Sequence, residues 1–148
     1  PRSIHLSNNS VQKQYQPSVC RSKMLPVDNM WTCEEFKSYL SNLPDPWANI
    51  IVPGMKKGIL NALLCTQDLI DHRKNSFELF GADFMLLEDF TPWLIEINSS
   101  PSMARTTTAT AYLVEKVLED TIKVVIDRHQ NKSCDTGKFE LAYRQPQV

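Results

Sequence analysis

Long apolar runs are missing from this sequence. Its densest stretches, such as Ile50-Ile51-Val52 and Val124-Val125-Ile126, fall far short of the roughly 20 residues a membrane-spanning helix needs. A charge of one sign is missing too. Lys and Arg number 16 against 17 Asp and Glu, for a formal net charge of -1, so no basic stripe argues for nucleic acid and no strong field selects a charged partner. The chain opens on Pro1 without the charged and apolar regions of a signal peptide, and reads as a segment of something longer. Cys20, Cys33, Cys65 and Cys134 are widely scattered with no CxxC spacing, which favours reduced thiols over a disulfide framework or a zinc site. His5, His72 and His129 share no spacing, and there is no HExxH helix, nucleophile elbow or Walker A loop. A triad hydrolase and a P-loop ATPase are thereby disfavoured. No internal repeat or low-complexity tract is present.

At 148 residues the chain is long enough for one ordinary domain with an apolar core. Residues 1–30 are polar and irregular, with a short apolar alternation at Ile4-His5-Leu6 that predicts a strand end followed by a mobile loop. Thr32 followed by Glu35 forms a capping box, and Phe36, Tyr39, Leu40 and Leu43 keep helical spacing until Pro44 and Pro46 stop it, which predicts a helix near 32–43. Ile51, Met55, Ile59, Leu60, Leu63 and Leu64 continue an apolar stripe that predicts a helix over 47–73. Pro53-Gly54 inside it requires a kink, or a restart with Pro53 in a first turn. Leu113, Val114, Val117, Leu118, Thr121, Ile122 and Val125 predict a helix over 108–129, with Arg128 and His129 at the end where cations suit the helix dipole. Residues 131–148 read as a polar, flexible tail.

Between the last two helices, residues 77–87 and 93–98 are rich in aromatic and branched side chains, and Glu88-Asp89-Phe90-Thr91 has the length of a hairpin loop. With Leu87 opposite Pro92, Asp83 falls across from Glu96 and Gly81 across from Asn98. Alternation then puts Asn98 on the face of Glu96 and puts Trp93, Ile95 and Ile97 on the other. Gly81 leaves room above Asn98 for something other than a side chain, such as a metal with phosphate ligands. Asp, Glu and an Asn carbonyl are hard oxygen donors that suit Mg²⁺ better than zinc. The spacing leaves a second reading open, an ordinary amphipathic hairpin with a solvated acidic face. Exposed carboxylates facing each other repel by roughly 0.2 to 1 kcal/mol, and a bound cation would explain why they are placed so.

The runs Phe80-Gly81-Ala82-Asp83-Phe84-Met85-Leu86 and Pro92-Trp93-Leu94-Ile95-Glu96-Ile97-Asn98-Ser99-Ser100-Pro101 closely resemble the tubulin tyrosine ligase-like family. The resemblance extends to His5-Leu6-Ser7-Asn8-Asn9-Ser10-Val11-Gln12-Lys13, similar to that family's HLTN-type motif with Ser7 for the usual Thr. It also takes in Ile51-Val52-Pro53-Gly54-Met55-Lys56-Lys57, and covers most of positions 4–129. It implies an α/β fold, the C-terminal portion of an ATP-grasp domain over residues 1–130, with a mainly antiparallel sheet and flanking helices. It also implies that Asp83, Glu96 and Asn98 hold the Mg²⁺ that bridges the phosphates of ATP, with Asp83 and Glu96 the catalytic carboxylates. Ser7, Asn8 and Lys13 become expected substrate contacts. Read without the resemblance, the same three are ordinary polar loop residues.

The implied reaction activates a carboxylate with the terminal phosphoryl group of ATP and lets an amine attack the acyl phosphate. The wording from Asn8 to Lys13 is closer to the glycylating members than to glutamylating or tyrosinating ones, which tend to carry a Tyr near Asn9. The expected function is therefore ligation of glycine to glutamate side chains in the acidic tails of tubulin and microtubules. The alternatives are a tubulin polyglutamylase, or a noncatalytic fragment that binds a partner. The resemblance places such a protein in the cytoplasm on the cytoskeleton, with cilium or axoneme as a further expectation. Ser99 to Ser102 and the threonines from 106 to 110 could bind phosphate or cap the next helix, and Arg105 could assist a phosphate or the acidic substrate, or stay solvated.

Overall fold

The computed structural model describes residues 1–71 and 73–146. His72, inside the helix expected over 47–73, and the last two residues of the expected tail lie outside the described residues. The chain divides into two compact units, Pro1–Asn42 and Leu43–Val148.

The first unit holds three short helices, α1 (Arg2–His5), α2 (Asn9–Gln12) and α3 (Cys33–Tyr39). The strand end expected at Ile4-His5-Leu6 is a helical turn instead. A strand needs a neighbour to satisfy its backbone, and the described strands all lie in the second unit. Here the N–H of Ile4 donates to the carbonyl of Pro1 at 3.1 Å and that of Leu6 to Arg2 at 3.0 Å. The Gln12 amide adds bonds to the carbonyls of Ser3 and Leu6. α3 begins as its sequence predicts. The Thr32 hydroxyl accepts from Glu35 N–H at 3.2 Å while the Glu35 carboxylate accepts from Thr32 N–H at 2.7 Å. The Thr32 N–H first, and then the Thr32 hydroxyl, which donates to Glu35 Oε2 at 2.9 Å, hold the Glu35 carboxyl below its ordinary range. Trp31 packs its ring near Phe36 and edge-on to Tyr39, with centroids 6.3 and 5.5 Å away.

The second unit is built on a two-stranded antiparallel sheet, β1 (Gly81–Leu86) and β2 (Pro92–Asn98), with helices α4 (Val52–Thr66), α5 (Thr108–Ile122) and α6 (Arg128–Gln130). A π-helical stretch, Trp47–Ile51, runs into α4, and Pro53 stands in its first turn. Proline has no N–H to donate, so the chain uses a wider turn before the regular helix starts. A 3-10 turn, Gln67–Leu69, ends this segment short of residue 73. A second π stretch, Lys123–Asp127, carries α5 into α6, close to the expected 108–129. Thr107 and Thr110 cap α5 reciprocally. Each hydroxyl accepts from the other's N–H, at 3.1 and 2.8 Å, so the capping reading of this threonine run is the one observed. None of the described helices is long and apolar enough to cross a membrane.

α4 is the helix packed on the hairpin, and two glycines one turn apart allow the approach. A Cβ at Gly54 would stand 2.6 and 2.7 Å from Cγ and Cδ of Pro92, and one at Gly58 would stand 3.5 Å from the Phe84 ring. Gly54→Ala is therefore expected to overpack this contact and cost about 1 to 3 kcal/mol. Denaturant titration would read that cost as a lower midpoint with an unchanged slope.

Candidate metal and substrate site

β1 begins at Gly81 rather than near residue 77, because Gly81 pairs with Asn98 at the end of β2 and residues 77–80 have no strand to pair with among the described residues. Asp83 does stand across from Glu96, and Gly81 across from Asn98. The route to this register differs from the expected one. The loop is the three residues 88–90, closed by Leu87 N–H to Thr91 carbonyl at 3.0 Å and Phe90 N–H to Leu87 carbonyl at 3.0 Å, with Phe90 at φ +67°. This is a turn followed by a left-handed residue, a common three-residue hairpin. The Asp89 carboxylate accepts from Thr91 N–H at 2.9 Å, and that bond holds its carboxyl below the ordinary range. Leu87 is thus opposite Thr91, not Pro92.

A bulge then restores the count. Phe84 pairs with Leu94 while Asp83 pairs with Glu96, so Ile95 is left without a partner. The bulge also changes the faces. Leu94, beside Phe84, meets α4 at Gly58, whereas Trp93 and Ile95 remain 61% and 60% exposed. The single apolar face expected from Trp93, Ile95 and Ile97 is not formed, because strict alternation fails across a bulge.

Asp83 and Glu96 are exposed and Asn98 is half-buried. Among the described residues neither carboxylate has a Lys or Arg ion pair. The Asn98 amide nitrogen donates to Glu96 Oε1 at 3.2 Å. That bond orients the carboxylate and leaves the amide oxygen to serve as a donor atom for a cation. Two carboxylates free of ion pairs among the described residues and an amide oxygen form a donor set that fits a hard divalent ion. They do not include a third His, Cys, Asp or Glu, and no cluster of three such residues occurs among the described residues. The space above Gly81, expected to be open for phosphate, is taken by Pro101. A Cβ at Gly81 would come within 2.9 Å of Pro101 Cβ. Glycine is needed there because the chain leaving β2 folds back over β1.

Ser7, Asn8 and Lys13 belong to the first unit, and the acidic pair belongs to the second. All three are exposed. Asn8 opens α2 through its backbone carbonyl, which accepts from Val11 and Gln12 N–H at 2.9 and 3.0 Å, while its side chain makes no capping bond. Arg105 is exposed and has no ion pair among the described residues.

One polar cluster was not expected. Asp120 is 5% exposed and accepts from Lys138 N–H at 2.9 Å and from Lys123 Nζ at 3.1 Å. These bonds, in that order, hold its carboxyl below the ordinary range. Its signal was present, since Asp120 sits on the Leu113–Val117 stripe of α5, where a charge has to find a partner.

The sequence profile of the Tubulin-tyrosine ligase family matches residues 1–134. Tubulin monoglycylase TTLL3 of Homo sapiens is 53% identical over 148 residues, 99% of this chain and 19% of that protein. Protein monoglycylase TTLL8 of Mus musculus is 52% identical over 147 residues, 98% of this chain and 18% of that protein. Tubulin glycylase 3A of Drosophila melanogaster is 50% identical over 145 residues, 97% of this chain and 14% of that protein. The chain spans less than a fifth of the length of these relatives.

Proposed function

The chain belongs to the tubulin-tyrosine ligase family, and on that premise we propose that its protein is an ATP-dependent ligase that joins glycine to glutamate side chains in tubulin tails. The supporting observation is the ladder that sets Asp83 across from Glu96, with Asn98 bonded to Glu96 and no Lys or Arg ion pair to either carboxylate among the described residues. It occurs in a chain about half identical, over nearly its whole length, to proteins named as glycylases.

In this reading residues 1–130 are the C-terminal part of an ATP-grasp catalytic domain. Asp83, Glu96 and Asn98 would hold Mg²⁺. When bound, the ion supplies charge neutralisation and orientation for the phosphates of ATP. The two carboxylates act by fixed charge rather than as proton carriers, and the Asn98 amide keeps Glu96 in one orientation. Lys13 offers an exposed ammonium to a carboxylate or phosphate, and Ser7 and Asn8 offer a hydroxyl and an amide to a polar substrate. The glutamate carboxylate of the acceptor would take the terminal phosphoryl group of ATP and release ADP. The glycine amine would then displace phosphate to form the new amide. Tubulin and microtubules are the proposed partners, which places the protein on the cytoskeleton, in cytoplasm and cilium.

The full-length protein incubated with tubulin, ATP, Mg²⁺ and labelled glycine is expected to attach glycine to tubulin tails, and to lose that activity when either ATP or Mg²⁺ is withheld. A preference for glutamate over glycine would replace the reading with a polyglutamylase. No incorporation of either by the folded protein would favour a binding role.

A further inference from the structure

Past α6 the chain turns back along α5. Asn131 N–H donates to Asp127 carbonyl at 2.8 Å, Cys134 N–H donates to Asn131 carbonyl at 3.1 Å, and Arg128 donates to Lys132 carbonyl at 2.9 Å. Residues 135–140 then meet the helix at three points. Lys138 N–H donates to the buried Asp120 carboxylate. Lys123 Nζ contacts Asp135 at 3.1 Å while also contacting Asp120 at 3.1 Å and Glu119 at 3.5 Å, so one ammonium joins two acids of the helix to one acid of the returning segment. Gly137 lies at φ +61°, and a Cβ there would overlap the Asp120 carboxyl group. Only a residue without a side chain fits that position and adopts that backbone without strain. Its N–H donates to Asp135 at 2.8 Å, which closes the turn. Farther on, the Glu140 carboxylate receives Lys56 of α4.

We propose that residues 134–140 form a strap that ties the end of α5 to α4, with the Asp120–Gly137–Lys138 contact as its latch. α4 packs on the hairpin that carries the acidic pair, and α5 follows the segment that leaves β2 over Gly81, so the strap joins the helix that precedes the acidic pair in the chain to the one that follows it. The latch carries the strap and the Lys56–Glu140 pair only guides it. Both partners of that pair are more than half exposed, and exposed ion pairs contribute little. Asp120 is buried, and a buried carboxylate that loses its donors is strongly disfavoured. The strap does not depend on the glycylase reading.

Hydrogen exchange in the full chain tests this. Asp120→Ala is expected to speed exchange at the Lys138 amide and across residues 120–130 by at least about tenfold, with the β1–β2 amides unchanged. Glu140→Gln is expected to stay within about twofold of the parent throughout. If Asp120→Ala prevents folding, Gly137→Ala decides, because it alters one loop residue and is expected to open the same amides. Lys138 exchange within twofold of the parent in a folded latch variant would overturn the proposal. So would a Glu140→Gln effect as large as that of the latch variants.

Discussion

Glu96→Gln in the full-length protein is expected, on the proposed ligase reading, to lower glycine incorporation by at least about a hundredfold while leaving the protein folded. The substitution keeps the size of the side chain and an oxygen that can still accept from Asn98. What it removes is one negative charge at the point where Asp83 and Glu96 oppose each other. Since no basic side chain among the described residues offsets that pair, removing the charge relieves repulsion, and the melting temperature is expected to hold or rise slightly. Turnover, and not stability, therefore separates the two roles. A purely structural acidic face would leave turnover unchanged. A metal site would lose turnover with no loss of stability, and raising Mg²⁺ would partly restore it. Glycine incorporation equal to that of the parent protein in a folded Glu96→Gln variant would refute the assignment, and the Asp83→Asn variant is expected to behave alike.

Local signals account for what was legible beforehand. The capping box at Thr32 and Glu35, the restart at Pro53 and the end of the last long helix each depend on residues within a few positions, and each is found where its chemistry puts it. The strand end proposed for Ile4-His5-Leu6 failed because three alternating residues do not specify a strand when no partner lies alongside. The hairpin is the instructive case. Its loop is one residue shorter than expected and its second strand contains one residue more in a bulge, so two opposite departures leave Asp83 across from Glu96. A left-handed phenylalanine and a bulge at Ile95 have no reliable local signature. The facing of Trp93 and Ile95 was therefore misread although the pairing of the acids was not. The place of Asp120 on the apolar stripe of α5 signalled that it needs a partner, but which partner was beyond reach, since its donor lies 18 residues away and only the folded return of the chain brings it close.

Ile51→Ala is expected to be the most destabilising apolar truncation in the second unit. Ile51 is the one fully buried large side chain among the described residues, at 0% exposure. It stands at the last position of the π stretch that launches α4. Large-to-small changes at fully buried sites cost about 2 to 5 kcal/mol, the sum of lost transfer energy and the cavity left behind. That is a large share of the 5 to 15 kcal/mol that typically separates folded from unfolded domains. Trp93→Ala removes a larger side chain, but one that is 61% exposed. It is expected to cost much less, so size alone does not set the order. Denaturant titration of the two variants in the full chain separates them. A midpoint shift for Ile51→Ala no larger than that for Trp93→Ala would mean that the stability of this unit is held elsewhere. If the expected order is found, the consequence reaches the acidic pair, because the helix that Ile51 anchors is the one whose Gly54 and Gly58 seat Pro92, Phe84 and Leu94. Loosening its first turn should then raise amide exchange in β2 before the rest of the unit unfolds.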